Sequence, residues 1–273
     1  MDPRQAKNKV GNSADRAAQQ AADHPVVLIL ARSGFVVLGV LHILIGWIAI
    51  RIATGSGTEE ASNSGALQAI AEAPGGQVML WVAAVALAAL GLWRLSQLFT
   101  GEELKDKAKG AVMAVVYFAL ALTTSTFARG GSSSDGDTAS DVTATVLAQP
   151  AGMALVILAG AIVLGVGLFS IYRGATRSFK KDLEARAGAG NTGSAIVAAG
   201  VAGYVARGIA FAILGGLIIW GAWTNDPEKA SGLDMALRTL GEQPAGAIAL
   251  IVVGVGLALY GLYSIARARY IRM

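Results

Sequence analysis

The sequence predicts an all-α membrane protein whose six transmembrane helices form three tandem two-helix repeats with pseudo-threefold symmetry. Three observations predict this: an apolar composition, six long segments without charge, and a proline-anchored pattern that occurs three times. Apolar residues make up 54% of the 273 residues and the mean hydropathy is +0.56, whereas soluble domains contain about 45 to 50% apolar residues. Lipid is therefore expected to be the main solvent of the chain.

The repeat is anchored by a proline near the middle of each copy. In all three copies the proline is followed by a glycine two residues later, by another glycine after 17 residues and by an aromatic residue after 19. Four columns in register indicate duplicated structural units. The prolines are Pro74, Pro150 and Pro244, the later glycines are Gly91, Gly167 and Gly261, and the aromatic residues are Trp93, Phe169 and Tyr263.

Each copy begins with a basic residue beside a glycine or one residue before it. These repeat starts are Arg32, Lys109 and Arg207. The predicted organisation is a cytoplasmic N-terminal tail, two repeats, a cytoplasmic linker and a third repeat with a basic C-terminal end. The corresponding ranges are residues 1–25, 26–101, 102–178, 179–194 and 195–273.

A helix needs about 20 predominantly apolar residues to cross the hydrocarbon core of a bilayer, which is about 30 Å thick. Six segments meet this requirement. The predicted spans are Ser33–Ile50, Ala73–Trp93, Gly110–Ala128, Ala151–Tyr172, Gly208–Asn225 and Gln243–Ala266.

The fifth span has to be separated from a longer apolar stretch, Ala195 to Trp223, which contains only Arg207 as a charge. The repeat alignment places Arg207 at the cytoplasmic edge, where a long side chain reaches the headgroups. Residues 195–206 are then expected to lie along the inner membrane interface.

Basic residues predict the orientation, because cytoplasmic segments near span ends carry an excess of Lys and Arg. Of the 22 basic residues, 18 lie on the side that holds the N-terminus. Both termini of this multi-pass protein are therefore expected in the cytoplasm of a bacterium, with the spans in its cytoplasmic (inner) membrane. Residues 1–24 lack an apolar core, so the first span is expected to act as its own insertion signal.

The outer loops are each expected to contain a short amphipathic helix before the proline. Apolar residues stand seven and four places ahead of it, as at Leu67 and Ile70, which is a helical spacing. Serines stand where N-caps are expected, at Ser64, Ser140 and Ser231. Two interpretations remain open: these helices cover the top of the bundle or lie on headgroups, or they gate a cavity.

Small residues recur on one face of each even-numbered span. Gly91, Gly167 and Gly261 each follow another small residue by seven places, or two helical turns. Small faces let helices approach closely within a membrane. We expect these glycines to pack helices together; a passage lined by glycine is the alternative.

His42 is the one ionisable side chain expected at mid-depth in the membrane, about 12 Å below Gly34 at 1.5 Å per residue. Two roles remain open: a hydrogen-bonded packing residue, or a contact to a quinone, a proton path or a lipid. The chain has no cysteine, which excludes disulfides, thiolate nucleophiles and cysteine-ligated metal centres. The aspartates between Gly130 and Asp141 lack the closing glutamate of a calcium loop, so we expect a flexible solvated segment there.

The three tandem units resemble a family of bacterial, mainly actinobacterial, integral membrane proteins that is catalogued as a domain of unknown function. The features that carry the resemblance are the basic residue and glycine at each start and the Pro-x-Gly that opens each second helix. The resemblance extends from about Arg32 to Ile265. The middle unit departs from it with Lys109 for arginine and a serine-rich outer loop. The resemblance implies the architecture and transfers no functional residue.

No catalytic or ligand-binding constellation stands out in the sequence, so we expect a protein that is not an enzyme and has neither cofactor nor metal. Two functions remain open. The first is an accessory or scaffold subunit of a membrane complex, and the second is a transporter or binding protein for a lipid or another apolar small molecule. The expected partners are the lipid bilayer and another membrane protein complex. Nucleic acid is not expected, because no soluble basic module exists.

Overall fold

The computed structural model describes residues 25–57, 59–100, 104–182 and 190–270, and all regular structure in these residues is helical. Residues 1–24 of the predicted N-terminal tail and the last three residues lie outside this range. Nine α-helices occur in the described part. They are α1 Pro25–Ala53, α2 Asn63–Ala71, α3 Gly76–Thr100, α4 Leu104–Ala128, α5 Asp135–Leu147, α6 Gly152–Ala175, α7 Gly190–Thr224, α8 Leu233–Gly241 and α9 Gly246–Tyr270.

Six of these helices are long and apolar enough to cross a membrane: α1, α3, α4, α6, α7 and α9. The six predicted spans are therefore confirmed as long apolar helices, and α2, α5 and α8 are the three short helices predicted in the loops. The short helices all lie at one end of the bundle, which we call the outer end. The opposite end, where the described chain begins and finishes, is the inner end.

The fifth long helix differs from its prediction. α7 runs without a break through residues 195–206, which were expected to lie along the membrane interface. Its first half packs on α9 instead: Gly200 lies against Phe179 and Tyr263, and Gly203 lies against the backbone of Tyr260. Because these positions lack a side chain, α9 can approach closely, and the first half of α7 stays in the bundle.

The Pro-x-Gly signature forms the turn between each short helix and the long helix after it. The residue after the proline takes a left-handed conformation, with φ of 75° at Gly75, 63° at Ala151 and 59° at Ala245. The next residue is always glycine because a Cβ there would collide with a carbonyl near the end of the short helix. A side chain at this position would force the two helices apart.

The N-caps of the short helices are not the serines that were predicted. Ser62 caps α2 through a bond from the Gly65 amide, and Ser134 caps α5 through a bond from the Asp137 amide. Gly232 precedes α8 and makes no side-chain cap. α5 begins at Asp135, so the flexible segment expected up to Asp141 is in large part helical. α5 thus begins before the predicted start at Ser140. The pattern of apolar residues did not indicate this earlier start, because the first turn of α5 contains no large apolar residue.

The long helices pack in the order α4, α3, α1, α9, α7 and α6. The closest pairs are α6 with α7, α9 with α1, and α3 with α4, which are equivalent interfaces between successive repeats. Within the first repeat α1 packs on α3, and within the third repeat α7 packs on α9. The two long helices of the middle repeat, α4 and α6, do not form the corresponding interface in the described structure. Pseudo-threefold symmetry of the whole bundle thus stays a prediction.

Candidate functional site

Polar side chains gather in the inner half of the bundle, between α1, α7 and α9. We call this group the tyrosine–arginine cluster and define it as His42, Tyr204, Arg207, Tyr260 and Tyr263. Arg207 and the three tyrosines come from the third repeat, and α1 contributes His42. Tyr204, Tyr260 and Tyr263 are at most 7% exposed, so their hydroxyl groups lie inside the protein.

Arg207 lies near the middle of α7, not at its end. At 1.5 Å per residue it stands about 21 Å from Gly193 and about 26 Å from Thr224, the ends of the candidate span. Its Nη1 donates a 2.8 Å hydrogen bond to Tyr260 Oη, and its guanidinium carbon lies 5.0 Å from the ring centres of Tyr260 and Phe211. Its Nε is buried and has no hydrogen-bond partner in the described structure.

His42 completes the cluster from the α1 side. Its ring centre lies 4.9 Å from that of Tyr260. Its Nδ1 lies 2.7 Å from the Leu38 carbonyl, so the proton on this nitrogen is donated to the backbone and Nε2 is the acceptor of the neutral ring. His42 is thus hydrogen-bonded to the backbone and contacts Tyr260, the tyrosine that Arg207 also contacts. Both roles considered for His42 stay predictions.

An aromatic layer closes the inner side of the cluster. The rings of Tyr204 and Tyr260 meet edge to face at 5.2 Å, and Tyr204 stacks on Phe179 at 5.1 Å. Phe179 comes from the short 3₁₀-helix Ser178–Asp182 after α6 and is fully buried. Edge-to-face and offset pairs of this kind hold aromatic rings in defined orientations. The layer therefore orients the tyrosines around Arg207.

Two further arginines act on the same tyrosines. The Arg173 guanidinium lies 5.4 Å from the Tyr204 ring centre, and that of Arg267 lies 5.1 Å from Phe35. Arg173, Arg207 and Arg267 all exert an electrostatic effect at Tyr204 and Tyr260. No Asp or Glu occurs in any of the six candidate spans. The two tyrosines are consequently within the electrostatic reach of three guanidinium groups.

Glycine contacts fix the true register between the first and third repeats. Gly39 packs on the Gly261 carbonyl at the α1–α9 interface, and Gly208 packs in the same way on the Gly167 carbonyl at the α7–α6 interface. Seven residues further along, Gly46 meets Gly254, as Gly215 meets Gly160. This register aligns residue n of α1 with residue n + 169 of α7, so Arg207 corresponds to Leu38, and His42 to Phe211.

The alignment of Arg207 with Arg32 is therefore corrected. Arg32 is exposed at the start of its span, and Arg207 lies six residues deeper on the helix. Lys109 lies near the start of α4 and its side chain is outside the described structure. The expectation that His42 is the one ionisable group at depth is corrected as well. The sequence signal for Arg207 was its place inside an apolar stretch that continues on both sides of it, from Ala195 to Trp223.

Gly91, the remaining predicted packing glycine, faces the Phe118 ring of α4. The three interfaces between repeats thus use the same column, but only two of them pair glycine with glycine. At the α3–α4 interface the nearest group to Gly91 is the ring of Phe118 instead.

One face of α6 is exposed where the equivalent faces of α3 and α9 are buried. Nine, 12, 16 and 19 residues after the proline, α3 has Ala83, Ala86, Leu90 and Trp93, each at most 8% exposed. The α9 residues in the same columns, Val253, Gly256, Tyr260 and Tyr263, are also buried. On α6 these columns hold Ala159, Ile162, Val166 and Phe169, and the last three are 59%, 48% and 60% exposed. We call these four residues the α6 face.

The reason for this difference is the missing contact between α4 and α6. In the first repeat Gly34 of α1 lies against Ala86 and Leu90, and in the third repeat Gly203 of α7 lies against Tyr260. α4 packs on α3 and α2 instead and leaves α6 uncovered. A helix that places a small residue against the α6 face would cover it as α1 covers α3 and α7 covers α9.

The outer end is a network of polar contacts that joins all three loops. Asp135 of the second loop accepts bonds from the Ser64 amide (3.2 Å) and hydroxyl (2.7 Å) in the first. Asp234 of the third loop accepts a 2.7 Å bond from the Ala61 amide and pairs with Arg238. The Lys229 ammonium, which donates a hydrogen bond to Asp226, lowers the pKa of that exposed carboxyl. Asp135 and Asp234 therefore fasten the second and third loops to the first.

An open pocket of about 620 Å³ lies beside this network and is lined by Glu59, Glu60, Glu72 and Asp137. Glu60 accepts hydrogen bonds from Ser62 and Ser134. The described residues contain no group of three or more His, Cys, Asp or Glu arranged to hold a metal ion. The pocket walls therefore belong to the loop network.

Six long apolar helices with three short helices at one end define a multi-pass helical membrane protein. The chain belongs to the family described as Domain of Unknown Function (DUF1206), whose model matches residues 33–101, 108–177 and 202–270. The resemblance to a three-repeat family of unknown function is thereby confirmed. The chain is also 30% identical to an uncharacterized protein, YxxB of Bacillus subtilis (strain 168), over 91% of this chain and 93% of that protein. No solved structure matches the chain significantly.

Proposed function

We propose that the protein is a non-enzymatic accessory or scaffold subunit of a complex in the bacterial cytoplasmic membrane, and that it binds a transmembrane helix of a partner protein on the α6 face. The observation that carries this proposal is the exposure of that face in a chain whose two other repeats bury the same columns. The partner replaces the interface that α4 fails to make.

The packing of the equivalent faces in the other two repeats favours a helix as the occupant of the α6 face. In the two complete repeats, the covering helix presents a glycine to the face and brings its backbone close to the even-numbered helix. Packing through small residues is the common mode of helix association in membranes. The partner helix is accordingly apolar, with Gly, Ala or Ser at the point of contact with Ile162 and Val166.

The distribution of basic residues supports the proposed orientation, with both chain termini in the cytoplasm. Of the 22 Lys and Arg residues, 18 lie on the termini side when Arg207 is counted there, as the positive-inside rule requires of a cytoplasmic face. The outer network then faces away from the cytoplasm. Lipid surrounds the remaining apolar surface, and nucleic acid is not a partner.

Site-specific photocrosslinking in the native membrane tests the proposal. A photoreactive amino acid at Ile162 probes the α6 face. The matched control is the same residue at Val252 of α9, which is 64% exposed and stands eight residues after its proline. That column is exposed in all three repeats, with Val82 at 64% and Leu158 at 57%, so it faces lipid throughout. We expect a discrete protein adduct from Ile162 and none from Val252.

Crosslinking of both positions to lipid alone would refute the scaffold proposal. A single enriched lipid or apolar metabolite attached only at Ile162 would favour the second candidate, a binding protein or transporter that takes its ligand between α4 and α6. Adducts of equal yield at Ile162 and Val252 would mean random collisions and would also count against the proposal.

A further inference from the structure

Arg207 places a permanent positive charge inside the bundle, and no described carboxylate forms an ion pair with it. Arginine stays protonated at all physiological pH values. No carboxylate contacts Arg207 in the described structure, and none occurs anywhere in the spans. Charge at this depth is costly and in membrane proteins usually marks a functional path or ligand site.

The fold itself does not require this charge. The first repeat has Leu38, Leu90 and Trp93 in the places of Arg207, Tyr260 and Tyr263. In the equivalent region Phe35, Leu90 and Trp93 pack with Tyr117 of α4, and the guanidinium groups of Arg267 and Arg94 lie over the rings of Phe35 and Trp93. The same backbone arrangement thus accommodates an apolar side chain in the place of Arg207. The polar side chains of the third repeat serve something other than packing.

The cluster offers hydrogen-bond donors and positive charge. Arg207 Nε is buried without a partner. Tyr260 Oη accepts the bond from Arg207, which leaves the hydroxyl proton of Tyr260 available to a third group. Arg173 and Arg267 add positive potential from α6 and α9. A group that fits must be an anion, able to accept several hydrogen bonds at once.

We propose that the tyrosine–arginine cluster binds one phosphate group, with Arg207 as the main ligand and Tyr260 as a second donor. Phosphate matches the fork of donors on a guanidinium. It is also the anion that the headgroups of the surrounding lipid carry. The phosphate comes either from an anionic lipid headgroup or from a free phosphate ion.

The proposal is tested by native mass spectrometry of the full-length protein in mild detergent, with dioleoylphosphatidylglycerol as the lipid probe and dioleoylphosphatidylcholine as the zwitterionic reference. Arg207→Leu copies the first repeat, so the fold has a precedent for it. The matched control is Arg129→Leu, which removes an exposed arginine at the outer end. We expect the native chain and Arg129→Leu to retain one phosphatidylglycerol. The affinity of the Arg207→Leu variant for phosphatidylglycerol should fall about tenfold or more, because the variant lacks a charge-assisted hydrogen bond.

Inorganic phosphate distinguishes the two sources. If millimolar phosphate leaves the bound lipid in place, the headgroup is the ligand; if phosphate displaces the lipid, or binds alone, the site recognises a free ion. Tyr260→Phe is the second variant should Arg207→Leu fail to fold, because it keeps the ring and removes only the hydroxyl group, which accepts from Arg207 and is proposed to donate to the phosphate. A native chain that binds neither probe, or Arg207 and Tyr260 variants that bind as well as the native chain, would overturn the proposal.

Discussion

At the scale of single residues, the same column of the repeat serves different purposes in different copies. Leu38 and Arg207 occupy equivalent places on α1 and α7, yet one packs in an apolar cluster and the other binds Tyr260. His42 and Phe211 form a second such pair. Replacing an apolar side chain by a charged one in a single copy gives the protein a polar site without a change of backbone. Duplication thus supplies the architecture, and divergence of single side chains supplies the candidate site.

Glycine at a helix interface is the second feature at this scale, and it leads to a stability prediction. A Cβ at Gly167 would lie 2.6 Å from the Ala212 nitrogen and 2.8 Å from the Gly208 carbonyl oxygen, whereas a Cβ at Gly165 would meet nothing within 4 Å. Gly167→Ala should therefore lower the free energy of unfolding by about 1 to 3 kcal/mol, because α6 and α7 must separate.

Gly165→Ala is the control on the same helix and should leave the free energy of unfolding unchanged, or raise it by up to about 1 kcal/mol, since alanine is the better helix former. Both variants would be compared with the native chain by thermal unfolding in one detergent. Equal stability of the two variants would contradict the assigned α6–α7 contact.

At the scale of helices, each short outer helix has a different degree of burial. α2 buries four residues and α8 buries two, but α5 buries none. α2 is held at its N-terminus by acids from both other loops. Carboxylates near a helix N-terminus satisfy its free amides and interact well with the helix dipole. The outer network therefore joins the three repeats at the end of the bundle that contains the Pro-x-Gly turns.

The cap of α2 yields a prediction for Asp135, which accepts from both the amide and the hydroxyl of Ser64. Asp135→Ala should lower the free energy of unfolding by about 1 to 2 kcal/mol, in the range of other lost N-terminal caps. Asp141→Ala provides the control, because Asp141 is an exposed acid on the same helix.

The measurement is chemical unfolding of both variants, followed by a double-mutant cycle of Asp135→Ala with Ser64→Ala. A coupling energy near zero would show that this bond between loops adds nothing to stability, contrary to the prediction.

At the scale of the whole molecule, the bundle is a row of six long helices that begins with α4 and finishes with α6. Both terminal helices belong to the middle repeat. α6 is the least covered of the six candidate spans, because only 22% of its most apolar stretch is buried. The open edge of the row is consequently where an additional helix can join the protein with the least rearrangement.

The orientation of the whole molecule is tested with single cysteines, for which the chain is suited because it has none of its own. Ser133→Cys lies in the outer loop and Lys180→Cys at the inner end, and both positions are exposed. In intact cells a membrane-impermeant maleimide should label the cysteine at 133, while the one at 180 should react only after lysis. The reverse pattern would invert the proposed topology.

Much of the architecture was predictable because it depends on short-range patterns. Apolar length predicts a span wherever water is replaced by lipid, and the Pro-x-Gly columns predict the turns because left-handed backbone and close approach allow few side chains. The starts of α5 and α7 were mispredicted. α5 opens with a polar turn that has no apolar signal, and α7 passes through an arginine that a sequence pattern treats as a boundary.

By itself, the sequence determined the membrane class, the six long helices, the three repeats and the small-residue columns, since each follows from local composition and spacing. Only the tertiary structure decided that α4 and α6 do not form the interface that the other two repeats have, that Arg207 faces Tyr260 and that His42 contacts Tyr260 from another repeat. These facts depend on how helices distant in the chain approach one another, and that approach is set by the packing of many side chains at once. A repeat predicts equivalent helices, but not whether every copy completes the same contacts.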